Sequence, residues 1–168
     1  MSKRSMKKIL FLILIILAFT TLVSAQSNEV RRNDSLILAG MIMPLVSNSA
    51  TTPDWDALAA DVKAKYGDSY VDRTVTKARI YYYYGKDWPV FSKALVHFTE
   101  MYEDKDNLKL MNKNAKMVLQ YSQDPNDWKT AVTWMKHAMD KEPGNAAYKE
   151  TYDALTTKVK EKVLMGGQ

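Results

Sequence analysis

The chain has 168 residues, the length of one ordinary domain, and it contains no cysteine. Without cysteine, disulfides, thiolate catalysis, iron–sulfur ligation and cysteine-type zinc sites are excluded. The formal net charge is +5, but four basic side chains lie in the first eight residues, and residues 26–168 carry a net charge of +1. A chain with so little net charge beyond its N-terminus does not favour nucleic-acid binding, which needs concentrated positive potential.

The first 25 residues have the pattern of a secretory signal peptide. Residues 1–8 are cationic, residues 9–19 (ILFLILIILAF) are uninterruptedly apolar, and residues 23–25 (VSA) place small side chains where signal peptidase cleaves. We predict cleavage after Ala25 and a periplasmic or secreted location. The alternative is a retained membrane anchor, and the chain would meet a membrane only through this segment if it stays uncleaved. The 15 residues of 9–23 are fewer than the roughly 20 that a spanning helix needs.

Residues 26–52 are predicted to form a flexible lead with a short apolar segment, residues 35–46, inside it. We prefer a short helix for this segment, because Asp34 or Ser35 can cap it and Pro44 can end it. A strand remains an alternative, since an apolar run of this length has no readable period.

The rest of the chain has the pattern of an all-α domain over residues 53–164. Apolar side chains recur there at steps of three and four, and cap residues, glycine and proline separate the runs. Thr52 and Pro53 are predicted to start the first helix, as its cap and first residue. The predicted helices cover about residues 53–66, 69–84, 88–102, 107–121, 126–141 and 145–164, followed by a tail of residues 165–168. Because the loops are short, neighbouring helices should form antiparallel hairpins that stack.

Two of the predicted helices begin alike. Residues 87–98 (DWPVFSKALVHF) and residues 127–138 (DWKTAVTWMKHA) share an initial Asp-Trp pair and a histidine nine residues after the tryptophan. The two segments are 40 residues apart, which indicates an internal repeat of helical hairpins.

In the second hairpin, Ala131, Ala138 and Pro143 follow one another at intervals of seven and five residues. This spacing resembles the second helix of a tetratricopeptide repeat, where small residues let paired helices approach closely and proline closes the unit. Ala94 and Phe98 hold the corresponding small and aromatic places in the first hairpin, which lacks the closing proline. The resemblance implies a short tetratricopeptide-like superhelix with the last helix as its polar cap.

A narrower resemblance covers about residues 53–163 and concerns the helical region that follows the thioredoxin-like domain in some secreted bacterial thioredoxin-family proteins. The pairs that carry it are Asn114 with Ala115, Ala131 with Trp134, and Thr151 with Tyr152. It implies a free-standing relative of such helical regions. No Cys-x-x-Cys motif is present, and the roughly 27 residues between the predicted cleavage site and residue 53 are too few for a thioredoxin domain, so redox activity is not implied.

The run of four tyrosines at positions 81–84 is the strongest candidate for a binding surface. Four consecutive helical positions sweep about 300° around the axis, so at least one ring must face outward or into a groove. Together with Trp88, we take Tyr81, Tyr83 and Tyr84 as a candidate peptide-binding surface, because tyrosine and tryptophan combine a large contact area with a polar group. The alternative is that two rings pack in the core and two line the adjoining hairpin.

A second candidate set lies on the fourth predicted helix. Lys113, Lys116 and Gln120 fall roughly where tetratricopeptide clamps hold a partner's C-terminal carboxylate, so the resemblance implies a role in partner binding. The alternative is a plain solvated face.

The two histidines are the only candidates for metal or catalytic chemistry. His97 precedes Glu100 by three residues, and His137 precedes Asp140 by three, which is a ligand spacing on helices. We prefer the alternative, that all four are solvated residues of the outer face.

These observations together predict a secreted, non-enzymatic, helical-repeat protein that binds a protein or peptide partner. No cofactor, metal or nucleic acid is expected. The alternative function is small-molecule or lipid binding between residues 35–46 and the hairpins.

Overall fold

The computed structural model describes residue 30 and residues 32–48 and 51–166. The predicted signal peptide, its cleavage site and the last two residues of the tail lie outside these ranges. Throughout the described ranges the secondary structure is helical, without a strand, which confirms the predicted all-α class. The chain divides into two compact units, Met1–Pro44 and Leu45–Gln168.

The N-terminal helical segment differs in two ways from the prediction. Residues 32–34 are already helical, so Asp34 and Ser35 lie inside a helix instead of capping one. Pro44 does not end the segment, because a π-helix at Leu38–Ile42 is followed directly by helix α1, Met43–Asn48. Residues 32–48 form one continuous helical run, so Pro44 lies inside it, at a position where proline donates no backbone hydrogen bond.

Helix α2, Trp55–Tyr66, begins later than predicted. Asp54 is its cap, and the Asp54 side chain accepts hydrogen bonds from the backbone N–H groups of Asp56 and Ala57 at 3.1 and 2.9 Å. The predicted start at Thr52 and Pro53 was therefore wrong. A carboxylate directly before the first helical residue reaches two free N–H groups, which a threonine two positions earlier cannot do.

A short 3₁₀ turn, Asp68–Tyr70, leads from Gly67 into helix α3, Val71–Tyr83. Gly67 has a φ of +94°, a conformation that side chains with a Cβ atom rarely adopt. Glycine therefore ends α2 here, which agrees with the predicted end of the first helix at residue 66.

Four longer helices complete the domain, and each is entered through a polar residue. Asp87, Asn107 and Asp124 accept hydrogen bonds from backbone N–H groups of the first turns of α4, α5 and α6. The bounds are α4 Trp88–Tyr102, α5 Leu108–Tyr121, α6 Pro125–Lys141 and α7 Ala146–Gly166.

The two Asp-Trp pairs of the sequence repeat have different structural roles. Asp87 caps α4, whereas Asp127 lies inside the first turn of α6, is buried, and accepts a 2.6 Å hydrogen bond from the Ser122 hydroxyl. Burial raises the pKa of Asp127, and the Ser122 hydrogen bond offsets part of that effect.

Sequential helices of the second unit pack against each other, and α4 also contacts α6 while α5 contacts α7. The shared core is apolar and aromatic, and its fully buried members include Phe91, Met111, Val118, Met135 and Leu155. Within the described residues, none of the helices is both long and apolar enough to cross a membrane.

Candidate functional site

A groove of about 350 Å³ lies across helices α3, α4 and α5. Its base is apolar and comes from α4, where Phe91, Leu95 and Phe98 are buried. The walls come from α3 with the residue after it and from α5, and their lining side chains are Lys77, Ile80, Tyr81, Tyr84, Lys113, Asn114 and Met117. We refer to this feature as the α3–α5 groove.

The tyrosine run supplies one wall of the groove because its rings point in different directions. Tyr81 and Tyr84 line the groove and are 43% and 53% exposed. Tyr82 is only 6% exposed, and its ring meets the Trp55 ring edge-on at 5.7 Å. We expected at least one of the four rings to face outward or into a groove, and the Tyr81 and Tyr84 rings do.

Of the three predicted binding tyrosines, Tyr83 is the one that does not line the groove. Its half-buried ring packs on the core and contacts the rings of Trp55 at 6.0 Å and Tyr82 at 5.0 Å. The Tyr83 ring therefore contributes to core packing, whereas the Tyr81 and Tyr84 rings remain available to a ligand.

Aromatic side chains surround one end of the groove. The Tyr84 ring meets the rings of Trp88 and Phe91 edge-on, each at 5.4 Å between centroids. Trp88 stacks on Tyr121 at 3.9 Å with nearly parallel planes. Trp88 does not line the groove, but its ring contacts the Tyr84 ring, which does. Partial burial together with neighbouring Tyr84 raises the pKa of Tyr121.

The other end of the groove carries charged and polar side chains. Lys77 lies 5.7 Å from the centre of the Phe98 ring, and Lys113 faces the groove from α5. Neither lysine forms an ion pair with a residue that the structure describes. Glu103, at the end of α4, lines the groove here as well. Two cations and one anion leave this end with a net positive charge.

Asn114 lies at this polar end and is almost completely buried. Its Nδ2 group donates a 3.0 Å hydrogen bond to the hydroxyl oxygen of Thr99, which is itself buried. Its Oδ1 atom accepts no hydrogen bond from the described part of the chain. The Thr99 contact fixes the amide, so that the free acceptor has a defined position.

The remaining two predicted clamp residues lie outside the groove. Lys116 and Gln120 are exposed on α5 but are not among its lining residues, whereas Lys113 is. Around the axis of α5, the lining positions 113, 117 and 114 span about 100°, and position 116 lies about 60° from position 113 on the other side. Position 120 lies close to the direction of 113 but two turns further along the helix. Of the sequence-derived candidates, the structure therefore brings together Tyr81, Tyr84 and Lys113.

His97 pairs with Asp72, which is distant in the sequence, and not with Glu100 three residues ahead. His97 Nε2 lies 2.8 Å from Oδ2 of Asp72 in α3, and the Tyr102 hydroxyl donates to the same oxygen at 2.5 Å. Partial burial would raise the pKa of Asp72, but the hydrogen bonds from Tyr102 and His97 outweigh it and lower the pKa. Burial and Asp72 together raise the pKa of Tyr102 to about 12.

His137 has an equivalent arrangement in the next hairpin. Its Nε2 atom lies 3.1 Å from Oδ1 of Asp106, just before α5, and Lys141 lies 3.6 Å from the same oxygen. The His137 hydrogen bond and the charge of Lys141 lower the pKa of Asp106. Neither histidine pairs with the carboxylate three residues ahead, and no group of three or more His, Cys, Asp or Glu side chains within the described ranges could hold a metal ion.

A second pocket of about 370 Å³ lies beside His137, with Glu100, Lys105 and Trp134 among its lining residues. Its polar groups already satisfy one another: Glu100 accepts hydrogen bonds from the Lys105 ammonium at 3.0 Å and from the Trp134 indole. Burial would raise the pKa of Glu100, but these two hydrogen bonds lower it. Because the Lys105 ammonium and the Trp134 indole both donate to Glu100, this pocket has fewer free polar groups to offer a ligand than the α3–α5 groove.

Sequence reasoning missed the groove residues that do not belong to a conspicuous run. Lys77, Glu103 and Asn114 are separated widely along the chain and meet only after α3, α4 and α5 pack together. The one available signal was the 3.6-residue period, which places positions 77, 80, 81 and 84 on one face of α3.

Comparison of the chain with protein-family models, with curated proteins and with solved structures finds no match.

Proposed function

We propose that this protein is a non-catalytic, secreted or periplasmic helical-repeat protein that binds an extended peptide segment of another protein in the α3–α5 groove. The observation that carries the proposal is the composition of this one groove. One wall carries the exposed Tyr81 and Tyr84, and the other carries Lys113, which pairs with no carboxylate of the described residues. With the apolar base between them, these are the properties of a peptide-binding surface.

We infer further that the hairpins stack as a short tetratricopeptide-like superhelix. Contacts between second neighbours, α4 with α6 and α5 with α7, support this arrangement, because hairpins in a stack contact the hairpin before and after them. The two histidine–aspartate pairs support it as well, since each joins the second helix of a hairpin to the start of its first helix.

In this arrangement α3 and α5 are the first helices of two successive hairpins, and the groove lies between them. A free-standing relative of thioredoxin-associated helical regions would use such a surface to dock a redox protein encoded separately. In this proposal any redox chemistry belongs to the partner, and the present chain provides only the surface on which the partner docks.

Selection of displayed random peptides on the purified protein tests this function. We expect one sequence family to be enriched and to be recovered with unchanged mass after incubation. Tyr84→Ala should weaken its binding about tenfold, because an exposed aromatic contact is lost. Lys113→Ala should weaken binding, whereas Lys116→Ala, the same change on an off-groove face of α5, should leave it within about twofold.

Failure to enrich any sequence family would contradict peptide binding, as would equal losses for Lys113→Ala and Lys116→Ala. Retention of a small apolar molecule in native mass spectrometry, with no peptide bound, would support the small-molecule or lipid alternative instead.

A further inference from the structure

The α3–α5 groove has two chemically different ends. Tyr84 and Phe91 mark the aromatic end, where their rings are 5.4 Å apart. Lys77 and Lys113 mark the cationic end, on opposite walls beyond Phe98. A ligand that uses both ends must carry an apolar ring at one end and a negative charge at the other.

The distance between the two ends sets the spacing of these groups. Lys77 and Tyr84 are seven residues apart along α3 and its C-terminal cap, which corresponds to about 10 Å along the helix axis. A polyproline II segment advances about 3.1 Å per residue and has three residues per turn, so residues i and i+3 face the same side about 9 Å apart. A β-strand would turn residues i and i+3 to opposite faces.

We propose that the groove recognises a polyproline II segment in which an aromatic side chain and an Asp or Glu side chain lie three residues apart. This inference rests on the proposed function and names the class of peptide. Aromatic-lined grooves suit such segments, because the ligand is already extended and loses little conformational entropy on binding.

The negative charge belongs to a side chain within the segment and not to a chain end. Glu103 also lines the cationic end and repels any carboxylate, so the negative charge of the ligand must lie nearer to the two lysines than to Glu103. Asn114 Nδ2 is engaged by Thr99, so its Oδ1 acceptor remains to bind a backbone N–H of a chain that passes through. Lysine ammonium groups act as point charges and can reach a side-chain carboxylate from both walls.

A set of synthetic peptides tests the proposal by fluorescence anisotropy. The peptides are acetylated and amidated, proline-rich, and carry one Trp and one Glu at separations of one to five residues in both orders. We expect the tightest binding at a separation of three, about fivefold tighter than at two or four. Replacing the intervening prolines with glycine should weaken binding, because the segment is then no longer preorganised.

The two lysines provide the matched variants. Lys77→Ala and Lys113→Ala should each weaken binding of the best peptide about three- to tenfold and reduce its preference for Glu over Gln. Lys116→Ala should change neither, and circular dichroism should show the same helicity for all three variants. A peptide with a free C-terminal carboxylate in place of the Glu should bind no better than its amidated form.

The outcomes separate this inference from the proposed function. If displayed peptides bind the groove without regard to Trp–Glu separation, or if a free C-terminus binds better than the amide, the inference is wrong and peptide binding stands. If neither displayed nor synthetic peptides bind, both are wrong.

Discussion

At the scale of single residues, two adjacent tyrosines differ in their surroundings. Tyr83 packs against Trp55 and the core, whereas Tyr84 is 53% exposed and lines the groove. Tyr83→Ala should therefore lower the free energy of unfolding by about 2 to 3 kcal/mol, since it leaves a cavity. Tyr84→Ala should lower it by about 1 kcal/mol or less and act mainly on peptide binding. Urea unfolding and peptide titration of both variants measure the two effects, and equal losses of stability would contradict this assignment.

The carboxylate of Asp72 makes stability depend on acid pH. Its pKa is lowered in the folded protein, so its contribution is present above the ordinary aspartate pKa and is lost as pH falls through the lowered value. Asp72→Asn should lose about 1 kcal/mol or less of stability at pH 7, because the pair with His97 is largely exposed. The difference between variant and wild type should shrink below about pH 3.

Tyr102 reports on the same cluster at alkaline pH. Burial and the nearby Asp72 raise its pKa to about 12, and Asp72→Asn removes the negative charge. The pKa of Tyr102 should therefore fall in the Asp72→Asn variant, as measured by ultraviolet titration with Tyr102→Phe as the reference. An unchanged titration curve would show that the two groups do not interact in solution.

At the scale of helices, the caps decide where each element begins. Asp54 accepts two backbone hydrogen bonds at the start of α2, so Asp54→Ala should lower the free energy of unfolding by about 1 kcal/mol. Thr52→Ala should change it by less than about 0.5 kcal/mol, because Thr52 is exposed and lies before the cap. Thermal unfolding of the two variants provides the comparison, and a larger loss for Thr52→Ala would restore the sequence-based prediction.

The sequence predicted most helix boundaries because the caps are local. Asp87 and Asn107 each lie directly before a run of periodic apolar residues. The side chain of each accepts a hydrogen bond from a backbone N–H group in the first turn of the helix that follows. The prediction failed at Thr52, because Asp54, two residues further along, accepts the first backbone hydrogen bonds instead. It failed again at Pro44, because no local pattern indicated the π-helix at Leu38–Ile42 that precedes it.

At the scale of the whole molecule, the groove could be predicted only in part. The tyrosine run required an outward-facing ring, and that expectation holds at Tyr81 and Tyr84. Lys77 and Lys113 are 36 residues apart in the sequence, and no periodicity relates them. They approach because α3 and α5 both pack against α4, which is a property of the tertiary arrangement.

The polar clusters of the second unit differ from the α3–α5 groove in how their charged groups are paired. The polar clusters of the second unit are paired internally, as with Asp72 and His97 or Glu100 and Lys105. In the groove, in contrast, Lys77 and Lys113 form no ion pair with a described residue and lie above an apolar base, which supports the proposed peptide binding.

Nuclear magnetic resonance of methyl groups tests the central claim most directly. With a display-selected peptide added to the full-length protein, the methyl signals of Ile80, Leu95 and Met117 in the groove should shift. Those of Val62 and Leu155, which are buried and do not line the groove, should remain in place. Shifts confined to residues outside the groove, or conversion of the peptide into a product during the titration, would contradict the account.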